Sequence, residues 1–166
     1  MPQIILIEKS TVVPATPARL YKSLTDAKQL SRWLADRVES DPREGGQIVI
    51  DYNSHQKRGE YRRLIPGREV GIRWLQFEEP VPEDITGFRI ERVPGGTRVS
   101  VVDFAAPEDA GALQALWAQR LRRLKRLFPA RPAPQKTAAK KAVKPKRIGK
   151  AKAVVRKPAP KKAGKK

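Results

Sequence analysis

The chain contains no cysteine and only one histidine in 166 residues. Without cysteine there is no disulfide, no thiolate nucleophile and no sulfur-based zinc site, and the redox compartment is left open. His55 lies in the polar stretch Asn53-Ser54-His55-Gln56-Lys57, with no second histidine to share a metal. An exposed turn residue is the reading that fits it. No run approaches the 18 or so apolar residues of a membrane-spanning helix. The start, Met1-Pro2-Gln3-Ile4, has no basic stretch ahead of a long apolar run, so no secretory signal is expected. A cytoplasmic location is the simplest expectation. Glycine-rich phosphate loops and nucleophile elbows are also missing. The carboxylate pairs Glu78-Glu79 and Glu83-Asp84 fall in a proline-containing stretch, where solvated charge is the usual outcome. With no convergent acid–base set, the sequence predicts a non-enzymatic protein with no metal and no cofactor.

Negative charge is also scarce, and unevenly so. The formal net charge is +19, from 36 basic and 17 acidic residues. From Pro129 to Lys166 there are 15 basic residues, no acid and no aromatic, leaving 21 bases against 17 acids in residues 1–128, a net of +4. The first 128 residues carry every Trp, Tyr and Phe. The remainder has too little apolar surface to offset its chain entropy, so a folded domain over 1–128 and a disordered basic tail over 129–166 are expected.

Within the first part, Ile4-Ile5-Leu6-Ile7 and Thr11-Val12-Val13 read as an opening strand closed by Pro14. Thr16-Pro17 is an N-cap followed by proline at the first helical position, and Ala18, Leu20, Tyr21 and Leu24 repeat at helical spacing. Asp26 with Gln29 three residues on resembles a capping box for a second short helix, whose stripe is Leu30, Trp33 and Leu34. After Glu44-Gly45-Gly46 the period drops to two. Ile48, Ile50 and Tyr52, then Tyr61 to Ile65, then Val70, Ile72 and Trp74 alternate as half-buried strands. Phe88 and Ile90, then Val99, Val101, Val102 and Phe104, complete an antiparallel sheet joined by Pro66-Gly67 and Gly95-Gly96 turns. Leu113, Leu116, Trp117, Leu121, Leu124, Leu127 and Phe128 then recur at three and four as one long helix. Its acids (Glu108, Asp109) stand first and its bases last, as the helix dipole favours. The class is α+β, a sheet of about six strands with one helical layer.

These segments resemble the helix-grip fold of the START-like (SRPBCC) superfamily, in the AHSA-type branch named after the activator of a heat-shock-protein ATPase. The match is carried by Ala15-Thr16-Pro17-Ala18-Arg19-Leu20-Tyr21 to Asp26, Leu30-Ser31-Arg32-Trp33-Leu34, Glu44-Gly45-Gly46, Ile65-Pro66-Gly67-Arg68-Glu69-Val70 with Trp74, Gly95-Gly96-Thr97-Arg98-Val99, and the Trp117 helix. It spans roughly residues 4 to 128. Tyr21 stands where many relatives carry tryptophan. The resemblance implies a curved sheet around the long helix, with a cavity for an apolar small molecule or a surface for a chaperone partner.

Trp33, Tyr52, Tyr61, Trp74, Phe88 and Trp117 are the groups that either line such a cavity or fill the core. Arg63 and Arg73 are candidate polar anchors; alternation alone does not say which side of the sheet they face. The strongest functional signal lies in the tail. Lys140, Lys141, Lys144, Lys146, Arg147, Lys150, Lys152, Arg156, Lys157, Lys161, Lys162, Lys165 and Lys166 are spaced by Ala, Pro and Val. The composition resembles linker-histone-like tails. Extended, it can track a phosphate backbone, and about eight contacts predict a log–log salt slope of about −7 on duplex DNA. Nothing in it reads bases, so nucleic acid would be bound regardless of sequence, with nucleoid or nuclear association as the consequence. Arg120, Arg122, Arg123 and Arg126 read as a basic outer face of the long helix, which either extends the same surface or is only a charged solvent face.

Overall fold

A computed structural model describes residues 3–75 and 85–130, all within one unit, Met1–Ala130. The basic tail from Arg131 and the carboxylate pairs Glu78-Glu79 and Glu83-Asp84 lie outside the described residues.

The order is β1 (Ile5–Val13), α1 (Pro17–Ser23), α2 (Ala27–Leu30), β2 (Arg37–Ser40), β3 (Gln47–Tyr52), β4 (His55–Ile65), β5 (Glu69–Trp74), β6 (Ile85–Val93), β7 (Gly96–Ala105) and α3 (Pro107–Arg126). The strands form one curved sheet ordered β1-β7-β6-β5-β4-β3-β2, every neighbour antiparallel. Seven strands replace the expected six or so. The added one, β2, is four residues long and buries one apolar side chain, Val38.

Local chemistry accounts for the junctions. Thr16 caps α1 by accepting from the Arg19 amide at 3.3 Å, and Asp26 Oδ1 accepts from the Gln29 amide at 2.9 Å to start α2. Between β3 and β4, Asn53 and Ser54 both take positive φ (48° and 64°), the twist a two-residue hairpin needs. The β4–β5 turn closes through the Arg68 amide to the Ile65 carbonyl at 2.9 Å, with Gly67 at φ 73°.

Register separates the two faces of the sheet. Val99, Val101 and Asp103 on β7 share a face with Thr86, Phe88 and Ile90 on β6, with Val70, Ile72 and Trp74 on β5, and with Tyr61 on β4. That face is buried, and α3 packs over its β1–β7 side. Beneath α3, the apolar side chains of α1, α2 and the loop after α2 (Leu20, Leu24, Leu30, Trp33 and Leu34) close one core. Phe128, just past α3, stays buried with the Arg19 guanidinium 5.5 Å from its ring centre, which ties the helix end to α1.

The opposite face carries charge. Arg98 meets Glu91 at 3.0 Å, Arg63 meets Glu69 at 3.0 Å, and Glu60 takes Arg62 at 3.1 Å and Arg73 at 3.7 Å. A bulge between Tyr61 and Arg63 inserts an extra residue and shifts the alternation. Arg63 and Arg73 therefore sit on the outer face, paired with glutamates, and neither lines the space between sheet and helix.

Candidate functional site

All six candidate aromatics lie on the inner side; five are buried, and each of their polar tips finds a partner. Trp33, Phe88 and Trp117 form a chain of edge-to-face contacts, with ring centres 6.1 Å apart at 84° and 5.6 Å apart at 76°. Trp33 donates its indole N–H to the Ser23 carbonyl at 2.9 Å. Trp74 donates to Thr86 Oγ1 at 2.8 Å. Its ring lies against Gly59, where a Cβ would meet ring carbon at 2.8 Å, and the Lys57 ammonium stands 4.6 Å from its centre. Tyr61 is fully buried, its hydroxyl 2.7 Å from Ser40 Oγ, which in turn donates to the Thr25 carbonyl at 2.7 Å. Burial pushes the Tyr61 phenol up to about 12, with the Ser40 hydrogen bond acting against it.

The sixth, Tyr52, is half-buried at the end of β3 beside the Asn53–Ser54 turn. His55 sits across from it, exposed, with ring centres 6.5 Å apart. Among the described residues no group of three or more His, Asp or Glu is placed to hold a metal, and no helix is long and apolar enough to cross a membrane.

One polar cluster stands out within this apolar interior. Asp103 on β7 is buried; its Oδ2 accepts the Trp117 indole N–H at 2.7 Å and its Oδ1 the Phe104 amide at 2.9 Å. One helical turn past Trp117 comes Arg120, only 6% exposed. Its guanidinium carbon lies 5.0 Å from the Trp117 ring centre and 5.1 Å from that of Tyr52. Among the described residues its Nε has no hydrogen-bond partner. Burial pulls this guanidinium down from its usual range to about 10, against the opposing attraction of Tyr52 and Asp103. Three strands separate β7 from β3 in the sheet, so the Arg120–Tyr52 contact bridges the concavity from helix to far wall. Arg120 is thus not part of the basic outer face: it points inward, while Arg122, Arg123 and Arg126 are exposed as expected. Residue type concealed it, although its spacing from Trp117 and Leu124 (three and four) places it on the apolar stripe.

A recess of about 550 Å³ opens at the surface around the loop that joins β2 to β3, lined by Glu39, Ser40, Asp41, Arg43, Gly45 to Gln47 and Val49. Arg43 and Asp41 pair across it at 2.7 Å, both exposed, and the Ser40 hydroxyl is already engaged with Tyr61. Nothing there converges on a ligand.

A curved antiparallel sheet closed on one face by a long C-terminal helix, with two short helices after the first strand, is the START-like helix-grip architecture. More specifically, residues 14–129 match the model of the family described as Activator of Hsp90 ATPase homolog 1-like protein, and the chain belongs to that family. No curated protein sequence matches it. Among solved structures it is similar to the Aha1 dimer from Colwellia psychrerythraea (TM-score 0.67, 20% identity, 75% of this chain and 96% of that one). It is also similar to protein CV1439 from Chromobacterium violaceum (0.61, 22%, 75% and 98%) and to CalU16 from Micromonospora echinospora (0.60, 19%, 85% and 83%). At these identities the likeness is one of fold.

Proposed function

We propose that this is a non-enzymatic binding protein whose START-like domain is tethered to nucleic acid by the cationic segment beyond Pro129. The observation that carries this reading is the charge partition: 15 bases without one acid follow a body of net +4. Support comes from the body's own surface. The sheet's outer arginines are largely answered by glutamates, whereas Arg122, Arg123 and Arg126 are exposed on the last turns of α3, leading into that segment. Such binding depends on counterion release, so it is steep in salt and indifferent to base sequence. Gel shifts of the full chain and of a chain ending at Ala130, on duplex DNA and on RNA, test it. The full chain should lose roughly ten-thousandfold in affinity between 50 and 200 mM salt, and the shortened chain should bind far more weakly at the lower salt. Equal binding by the two chains would refute the tether.

A second reading is favoured by the family match and by the buried, unanswered Arg120: a domain that takes an apolar ligand or serves a heat-shock-protein ATPase, with the basic segment aiding solubility. Native mass spectrometry of protein purified from cells tests the ligand version. Stimulation of a heat-shock ATPase by the purified chain tests the other.

A further inference from the structure

Arg120 is a buried cation that the fold leaves incompletely satisfied. A guanidinium offers five N–H donors in a rigid plane, and one taken out of water normally finds a carboxylate or several carbonyls. Here the ring faces of Tyr52 and Trp117 are its neighbours, and the Nε–H meets no acceptor among the described residues. The nearby acid, Asp103, spends both oxygens on Trp117 and the Phe104 amide and acts on the cation only through space. A buried unsatisfied charged donor is costly, so one kept in a fold calls for an explanation, and a bound ligand would supply one for Arg120.

We propose that Arg120 is the anchor for the carboxylate of an amphipathic monoacid, bound where α3 faces the end of β3. The proposal rests on the ligand-binding reading above and names its ligand class. A carboxylate fits because Nε–H and the neighbouring Nη–H form one edge of the fork, which two carboxylate oxygens can take side by side. A single negative charge fits because one guanidinium is offered and Asp103 repels a second. The aromatic surroundings ask for an apolar body behind the head group. Entry runs past Tyr52, the only half-buried member of the aromatic set, beside the exposed Asn53–Ser54 turn. The ligand displaces the Tyr52 ring from the guanidinium as it arrives.

The test uses the full chain in 0.3 M NaCl, which screens weak carboxylate binding to the cations beyond Pro129. Sodium decanoate, decanol and sodium phosphate are titrated separately, followed by the summed fluorescence of the three tryptophans, of which Trp117 lies against Arg120. Decanoate should saturate one site at least tenfold more tightly than decanol, and phosphate should not compete. Arg120→Met keeps every C-terminal cation and should bind the two decyl compounds equally. Equal affinities in the unaltered chain would overturn the anchor while leaving the ligand-binding reading intact, and binding of neither would overturn both. A preference surviving in Arg120→Met, or displacement by phosphate, also overturns the anchor. Should Arg120→Met not fold, the arginine Nε–H resonances of the ¹⁵N-labelled unaltered chain decide. Decanoate, and not decanol, should shift one buried Nε–H signal, and no shift refutes the proposal.

Discussion

Replacing Arg120 with methionine should make the ligand-free protein more stable, the reverse of the usual outcome for a buried side chain. Burial takes the guanidinium down from its usual range to about 10, a preference against the charged form of about 3 kcal/mol. That figure already contains the help from Asp103 and Tyr52. Of the two ring contacts, only that with Trp117 lies outside that figure, and it returns about 1 kcal/mol. Methionine keeps an apolar stem beside the rings while removing the charge. The net gain is about 2 kcal/mol, or several degrees in melting temperature for a domain of this size. Urea unfolding followed by tryptophan fluorescence measures it, with unchanged m-values confirming that the two chains bury the same surface. A loss of more than about 1 kcal/mol would refute the reasoning, since it would mean that Arg120 is the structural counter-charge of Asp103. An Asp103→Asn, Arg120→Met double-mutant cycle separates the cases: a through-space pair should show coupling under about 1 kcal/mol, a true ion pair several times more.

Two further perturbations probe the frame around that site. Tyr61→Phe should cost about 1 kcal/mol near neutral pH by breaking the link to Ser40, measured by thermal unfolding. The unfolded phenol loses its proton near 10 and the folded one near 12, so between those values the folded state holds more protons and stability falls as pH rises. The Phe variant should escape that fall, and parallel curves for the two chains would contradict the burial argument. Gly96→Ala places a Cβ against the Val13 carbonyl at φ 151°, a backbone approach that side-chain motion cannot relieve. Its destabilisation should exceed about 1 kcal/mol in urea, whereas Gly95→Ala, with open space at its Cβ, should be limited to the cost of its positive φ.

Most of the frame was legible because its signals are local. Thr16-Pro17 and Asp26 with Gln29 specify two helix starts through hydrogen bonds made within three residues. The long helix announces itself by seven apolar residues at three-and-four spacing. What was not legible depends on partners distant in sequence. Strand β2 has four residues and one buried apolar side chain, too little for alternation to register; pairing with β3 makes it a strand. The side of the sheet taken by Arg63 was hidden by the Tyr61–Arg63 bulge, which shifts parity by one without any glycine or proline to mark it. Arg120 failed for a different reason. Its position on the apolar stripe was visible, and its chemistry argued for solvent; the inward Tyr52 and Trp117 rings make burial tolerable, and Tyr52 lies 68 positions away. An arginine at a stripe position is a signal in itself, because arginine is almost never buried unless something partners it.

The remaining arginines of α3 decide how far the polyanion surface reaches onto the body. Arg122, Arg123 and Arg126 are exposed, lie within five residues of one another, and end where the basic segment begins. If they contact phosphates together with about eight cations beyond Pro129, the salt slope on duplex DNA should steepen from about −7 to about −10. Changing all three to glutamine leaves Leu121, Leu124 and Phe128 in place, so the core is untouched and the change in slope reads contacts alone. A triple variant whose slope returns to about −7 assigns the helix end to the binding surface. An unchanged slope, with affinity also unchanged, confines binding to the segment beyond Pro129 and leaves those arginines as the favourable charges at the negative end of a helix dipole.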